Sequence, residues 1–165
     1  MRNIHYKGIF EYSWVFGSLA RKGNSMYIGD FGSKVYEVAP ETISEFTGMM
    51  DFTPWEEVSL EEKQVLVDDY NKKSLTKHTI ESFAKVWDGV PIYENDILEC
   101  KHLVDESLEF VGPVVFHQGC FGVAIDTPDG NKFINFNDLI EYSYRVRGSI
   151  FQIKEPPEDY VGTDK

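Results

Sequence analysis

Two cysteines and two histidines in the second half of the chain, Cys100-x-His102 and His117-x-x-Cys120, have the residue types of a Cys₂His₂ zinc site. Their surroundings argue against it. Cys100 belongs to the interior of an alternating apolar run, whereas His117 and Cys120 flank a turn, and zinc sites of this type are built from tighter paired knuckles. A buried thiol at Cys100 and a loop histidine at His117 fit the pattern better. His117 with Cys120 as base and nucleophile lacks a third group to orient the imidazole, and His5 and His78 stand far away in sequence. Glu94 and Asp96, two residues apart, have the types needed for acid and base work, yet Asp96 is better placed to close a turn by accepting backbone N–H groups. Gly29 and Gly32 are too isolated to cradle a phosphate. Phe110, Phe116, Phe121, Phe133 and Phe136 lack the basic neighbours of a base-stacking platform and are assigned to the core. The residues therefore point to no catalytic, cofactor-binding or metal-binding set.

The elements that carry these residues are mainly strands. Tyr93-Glu94-Asn95-Asp96 separates two apolar runs with turn-forming residues, and asparagine accepts the left-handed backbone region. After it Leu98, Cys100, His102 and Val104 share one face of a strand, with Glu99 and Lys101 on the other. Val114-Val115-Phe116 and Phe121–Ile125 form a hairpin about His117-Gln118-Gly119-Cys120, Gly119 supplying a positive φ. Thr127-Pro128-Asp129-Gly130-Asn131 is a further turn. A last strand places Tyr144, Val146, Gly148 and Ile150 on one face and Arg145 and Arg147 outward. Ile92, Ile97, Val115, Phe121, Val123 and Ile150 are expected in one hydrophobic cluster, and Asn137 is expected to cap a single helical turn through Ile140. Near the N-terminus, Trp14–Leu19 and Met26–Ile28 form a hairpin around Lys22-Gly23-Asn24.

Between these regions the periodicity changes. Ser59-Leu60-Glu61-Glu62 fits a capping box, and Leu66, Tyr70 and Lys73 follow at helical spacing. Leu75, Ile80, Phe83, Val86 and Trp87 suggest a second helical stretch, and both are expected to pack on the β-rich part or to act as a partner-binding lid.

Composition narrows the functional classes. With 42 % hydrophobic residues in 165, the chain can bury a core without staples. Its formal net charge is −12, with 16 basic against 28 acidic residues, the wrong balance for displacing counterions from phosphates. Direct nucleic-acid binding is not expected. The pair Asp68-Asp69 and the terminal Glu155-Pro156-Pro157-Glu158-Asp159 are read as solvated charge. No apolar run approaches the roughly 20 residues that cross a bilayer, and Met1–Tyr6 lacks the apolar core of a signal peptide. Two cysteines provide no disulfide framework. A soluble, cytoplasmic protein with reduced thiols is the expectation.

Four blocks carry a family likeness. Trp14-Val15-Phe16-Gly17-Ser18-Leu19 is similar to a "W-x-x-G-S-L" block, and Glu41–Gly48 running on to Asp51 is similar to "T-V-x-x-x-T-G-L-x-D". Ile92-Tyr93-Glu94-Asn95-Asp96-Ile97 is similar to "I-Y-E-G-D-I-V", and Val146–Phe151 to a closing "V-I-G-N-I-Y". In this order they resemble the YopX family of phage and prophage proteins. Asn95 replaces the family glycine, a mild change because both accept a left-handed backbone. The about 36 residues from Phe52 to Trp87 look like an insertion relative to the family's short connection. Family members do not in general carry the Cys100, His102, His117 and Cys120 set. Pattern and resemblance together imply an α+β, β-rich fold: an N-terminal hairpin region over 1–51, a helical insertion over 52–88, an SH3-like barrel over 89–154 and an acidic tail over 155–165. The resemblance implies a phage or prophage context in the bacterial host cell, and the expected function is a non-catalytic protein-interaction module able to self-associate through strand edges or the inserted helices. The alternatives are an acidic inhibitor of a basic nucleic-acid-handling host protein, and a Cys/His enzyme or zinc protein.

Overall fold

The computed structural model describes residues 5–29, 34–105 and 107–160, and the backbone alone of Lys73. Gly32 and the last five residues of the acidic tail lie outside the described residues. The chain forms strands β1 (Tyr6–Phe10), β2 (Ser13–Lys22), β3 (Ser25–Gly29), β4 (Val35–Val38) and β5 (Ser44–Met50). Helices α1 (Leu60–Lys73) and α2 (Ile80–Phe83) follow. The second half supplies β6 (Pro91–Tyr93), β7 (Asp96–His102), β8 (Glu109–His117), β9 (Cys120–Thr127), β10 (Gly130–Asn135) and β11 (Tyr142–Ser149). The fold is α+β and β-rich, in two antiparallel sheets of order β4-β3-β2-β1-β5-β6 and β10-β9-β8-β7-β11. No helix among the described residues is long and apolar enough to cross a membrane.

The turns are where the sequence places them. Lys22 pairs with Ser25 across a two-residue loop in which Gly23 has φ 63°. His117 pairs with Cys120 across Gln118 and Gly119, with φ 50° and 85°, the two positive values that make a tight hairpin follow the strand twist. Thr127 pairs with Gly130, whose φ is 117°. Asn95 has φ 73°, and the Asp96 Oδ2 accepts the Tyr93 N–H at 2.8 Å, closing the turn between β6 and β7.

The core of the second sheet gathers Ile92, Leu98, Cys100, Val114, Val123, Leu139 and Tyr144, with Phe121 packed against it. Three expected members fall elsewhere. Val114 pairs with Val123 and is fully buried, so Val115 and Pro113 take the opposite face of β8. Ile97 precedes the inward Leu98 and faces the other way. Along β11 the register shifts, Val146 standing opposite Leu98 but Gly148 opposite Ile97; this bulge breaks the alternation, and Ile150 is 49 % exposed. Arg145 and Arg147 do point outward, to Glu57 and Glu99. β7 ends at His102, leaving Val104 86 % exposed instead of inward.

Other expectations are corrected as well. The strands do not close into the expected SH3-like barrel: β10 and β11 lie at opposite ends of an open order. The N-terminal region is larger than a hairpin, with β1–β5 supplying all but one strand of the first sheet. The short 3₁₀ turn is Phe136–Leu139, and Asn135, not Asn137, caps it by accepting the Asn137 N–H at 2.8 Å.

The two sheets meet at the Tyr93–Asp96 turn. Glu94 N–H donates to the Glu45 carbonyl at 2.8 Å in the first sheet, while Asn95 N–H donates to the Val114 carbonyl at 2.8 Å in the second. Asp96 is 1 % exposed and forms an ion pair with the buried Lys7 of β1. The Lys7 ammonium lies 4.5 Å from the Trp14 ring centroid and 5.0 Å from that of Tyr93, which adds cation–π attraction where water is excluded.

Val114→Ala should lower stability by about 2 kcal/mol, the scale for deleting methyl groups from a packed interior, and Val115→Ala by well under about 1 kcal/mol. Urea unfolding of both variants measures this. Equal losses would show that the β8 parity is not as described.

Candidate interaction site

The segment between β5 and β6 leaves and returns at one place. Asp51 N–H donates to the Val90 carbonyl at 2.8 Å, and the Val90 N–H donates back to the Asp51 Oδ1 at 2.8 Å. The same buried carboxylate accepts the Thr53 N–H and the Thr53 hydroxyl, each at 2.9 Å, and the Val146 N–H of β11 at 2.9 Å. One side chain thus ties the start and end of the segment to the second sheet. Gly89 is required there: its φ is 106°, and a Cβ would stand 2.0 Å from the Asp51 carbonyl oxygen.

The segment builds a small core of its own from Trp55, Val58, Val67 and Phe83, with Leu66, Tyr70, Ile80 and Trp87 against it. Ser59 caps α1, its hydroxyl accepting the Glu62 N–H at 3.2 Å, which is one half of the expected capping box. The second helical stretch is much shorter than its apolar spacing suggests. Only Ile80–Phe83 is helical, opened by a capping box between Thr79 and Ser82, and Leu75 is fully exposed. The loop before it is clamped by Asn71, whose side chain donates to the His78 carbonyl at 2.9 Å and accepts the His78 N–H at 2.8 Å. Both indoles find backbone acceptors, Trp55 at Ile80 and Trp87 at Thr53, 3.0 and 2.7 Å away. Their rings lie 5.1 Å apart, and the Trp55 and Tyr70 rings each lie 5.2 Å from Phe83.

Between α1 and the returning strand these aromatics leave an open cleft of about 790 Å³. Tyr70, Phe83 and Trp87 give it an aromatic lining beside Met50, Leu66 and Pro91, Leu75 and Val86 stand at it with their side chains exposed, and among the described side chains its charged residues are Asp69 and Asp88. The size is that of a recognition site, and the chemistry is mainly apolar contact. Sequence periodicity locates Tyr70, Phe83, Val86 and Trp87. It misses Asp51 and Asn71, whose partners are distant or lie in a loop. A smaller depression of about 260 Å³ lies on the outer face of β7 and β11 beside Lys101, Arg145 and Arg147, where both arginines already hold carboxylates.

The residues with reactive types are not brought together. Cys100 pairs with Phe110 on β8 and Cys120 with His117, so seven residues of strand, roughly 20 Å, separate the two cysteines. The Nδ1 of His102 accepts the Val104 and Asp105 N–H groups at 3.2 and 2.9 Å, and its Nε2 faces Glu141 at 3.5 Å. His117 is exposed with its ring 5.1 Å from that of Phe133, and Cys120 is hydrogen-bonded to the His117 carbonyl and to Asn135. No group of three or more His, Cys, Asp and Glu residues with metal-holding geometry occurs among the described residues. Glu94 and Asp96 both have carboxyls pushed up by burial, Glu94 further by Glu45, while Lys7 opposes the rise at Asp96. Asp96 points into the protein at Lys7, not toward a cleft.

No family model, curated protein or solved structure matches this chain.

Burial pushes the Cys100 thiol up to about 12 and the Tyr93 phenol to about 12. Both groups hold their proton more tightly folded than unfolded, so their contribution to stability is intact at neutral pH and is lost as pH rises from about 9 toward about 12. Melting of the wild type should fall more steeply across that window than melting of Cys100→Val, by up to about 1.4 kcal/mol per pH unit. Parallel profiles would mean that the thiol is not held protonated.

Proposed function

We propose that the chain is a non-catalytic protein-interaction module of the YopX-like phage and prophage type, acting in the bacterial host cytoplasm. Its contact surface is the 52–88 segment. The observation that carries this reading is the aromatic-floored cleft, built by a segment with its own small core and pinned at both ends by Asp51. Exposed apolar side chains over a preformed cleft are what a binding surface needs and what a packing element buries.

A likeness to the SH3 strand meander, without its closure into a barrel, is part of the proposal. It is supported by the five-strand meander in which β10 leads through a 3₁₀ turn to β11, and β11 returns to pair with β7. Self-association has a separate support at the end of that sheet. Leu103, Val104, Leu108 and Ile140 are 60 %, 86 %, 46 % and 85 % exposed, and Leu103 N–H bonds to the Glu141 carbonyl at 2.8 Å, which places these apolar residues side by side.

Replacing 53–88 with a short Gly/Ser linker tests the reading, because the Asp51–Val90 bonds leave only a short span to close. Circular dichroism should report a folded β-rich domain. Light scattering should show a smaller assembly, or mass spectrometry of proteins captured from a bacterial host should show that binding partners of the full chain no longer associate with the variant. A folded variant with the full-length assembly state and the full-length set of binding partners would reduce the segment to packing. An unfolded one would place its helices in the core.

A further inference from the structure

The chain leaving β7 is tied down by the ring of His102. Its Nδ1 accepts the Val104 N–H at 3.2 Å and the Asp105 N–H at 2.9 Å, while its Nε2 stands 3.5 Å from the Glu141 carboxylate. A ring nitrogen that accepts N–H groups carries no proton, so the ring proton is on Nε2 and points at Glu141. The side chain is 16 % exposed and lies edge-on to Tyr142 of β11, the centroids 5.0 Å apart. The backbone beneath it is fixed from both sides: His102 N–H donates to the Leu108 carbonyl at 2.9 Å, and Leu103 N–H to the Glu141 carbonyl at 2.8 Å.

A second proton can enter the ring at Nδ1 alone. There it turns an acceptor into a donor that faces two other donors, and both backbone N–H groups lose their partner in one step. Among the described residues, the acidic groups that face the ring are Glu141 from the start of β11 and Asp105 from the loop. Lys101 and Glu109, paired across β7 and β8, lie on the other face of the strand from His102. The Ser107 hydrogen bond to Asp105 holds that carboxyl below the usual carboxylate range, so it is still an anion where histidines titrate. Charges near the ring set the pH at which it takes up a proton, and they do not remove the clash of one donor with two.

We propose that His102 is a proton-operated latch. Neutral, it holds the backbone of Val104 and Asp105 against the end of the second sheet; protonated, it lets that backbone go. The residues it displays are apolar, Leu103 and Val104 being 60 % and 86 % exposed, so proton uptake rearranges an apolar part of the surface. The latch lies on a different part of the molecule from the 52–88 segment and works whether or not that segment binds a partner.

Amide hydrogen exchange of the full-length protein tests this, read residue by residue by NMR and corrected for the intrinsic pH dependence of exchange. Between about pH 8 and about pH 5 the protection of the Val104 and Asp105 amides should fall at least about tenfold, while the Val114 and Val123 amides of the core keep theirs. Ring nitrogen shifts at about pH 8 should show His102 with no proton on Nδ1. In His102→Asn the carboxamide oxygen stands in for Nδ1 and does not titrate, so protection should no longer depend on pH. Unchanged protection in the wild type, a proton on Nδ1 at the upper pH, or an asparagine variant that still loses protection in acid would each overturn the latch. Loss of protection at Val114 and Val123 over the same window would overturn it too, since the whole fold would then be opening. Should the asparagine variant fail to fold, the exchange profile and ring shifts of the wild type decide alone.

Discussion

A buried lysine and a buried aspartate, Lys7 and Asp96, hold the two sheets of this protein together. Each would be costly to enclose alone, and together they are enclosed almost completely, at 7 % and 1 % exposure. The arrangement satisfies more than the pair. Asp96 accepts the Tyr93 N–H, and the ammonium rests by the faces of Trp14 and Tyr93. Lys7 belongs to β1 and Asp96 opens β7, so the ion pair is also the junction of the first sheet with the second. Burial nevertheless pushes the Asp96 carboxyl up despite the nearby lysine, which means that desolvation outweighs the attraction of the partner. An ion pair of this kind adds little net stability. What it supplies is specificity, because any packing of the sheets that separates the two charges buries one of them unpaired.

Asp51 performs the parallel task for the cleft. Its carboxylate gathers backbone donors from Thr53, Val90 and Val146, which belong to the outgoing chain, the returning chain and β11. The cleft wall therefore stands on a rigid base, although the helices that form it contribute to a separate small core. Such a base lets a recognition surface vary without disturbing the sheets beneath it.

Much of the local structure was legible because turn chemistry is local. Gly23, Asn95, Gly119 and Gly130 all adopt the positive φ that their types favour, and the strands between them follow. Ser59 likewise announces its helix. What stayed hidden depends on parity or on distance. Val114-Val115-Phe116 is apolar on both faces of its strand, so the run does not say which valine is inward. The bulge after Val146 reverses the last residues of β11 and carries Ile150 out. An open strand order and a closed barrel share the same alternation, so pattern alone does not separate them. Of the site, the aromatic residues are visible as a helical stripe, but Leu75, which shares the apolar pattern, stands in solvent. The partners of Lys7 and Asp51 lie 89 and up to 95 residues away, and no local rule connects them.

The dependence of the fold on the Lys7–Asp96 junction is tested most directly by the pH dependence of unfolding in Lys7→Met beside the wild type. Without the ammonium, the folded-state pKa of Asp96 rises further above its unfolded value near 3.8, so the folded variant binds a proton that the unfolded chain does not. The variant should be destabilised by about 3 kcal/mol at neutral pH, within the range for breaking a buried pair, and the deficit should shrink as pH falls and Asp96 takes up a proton. A deficit that stays the same at every pH, or no deficit at all, would contradict the claim that this charge pair joins the sheets.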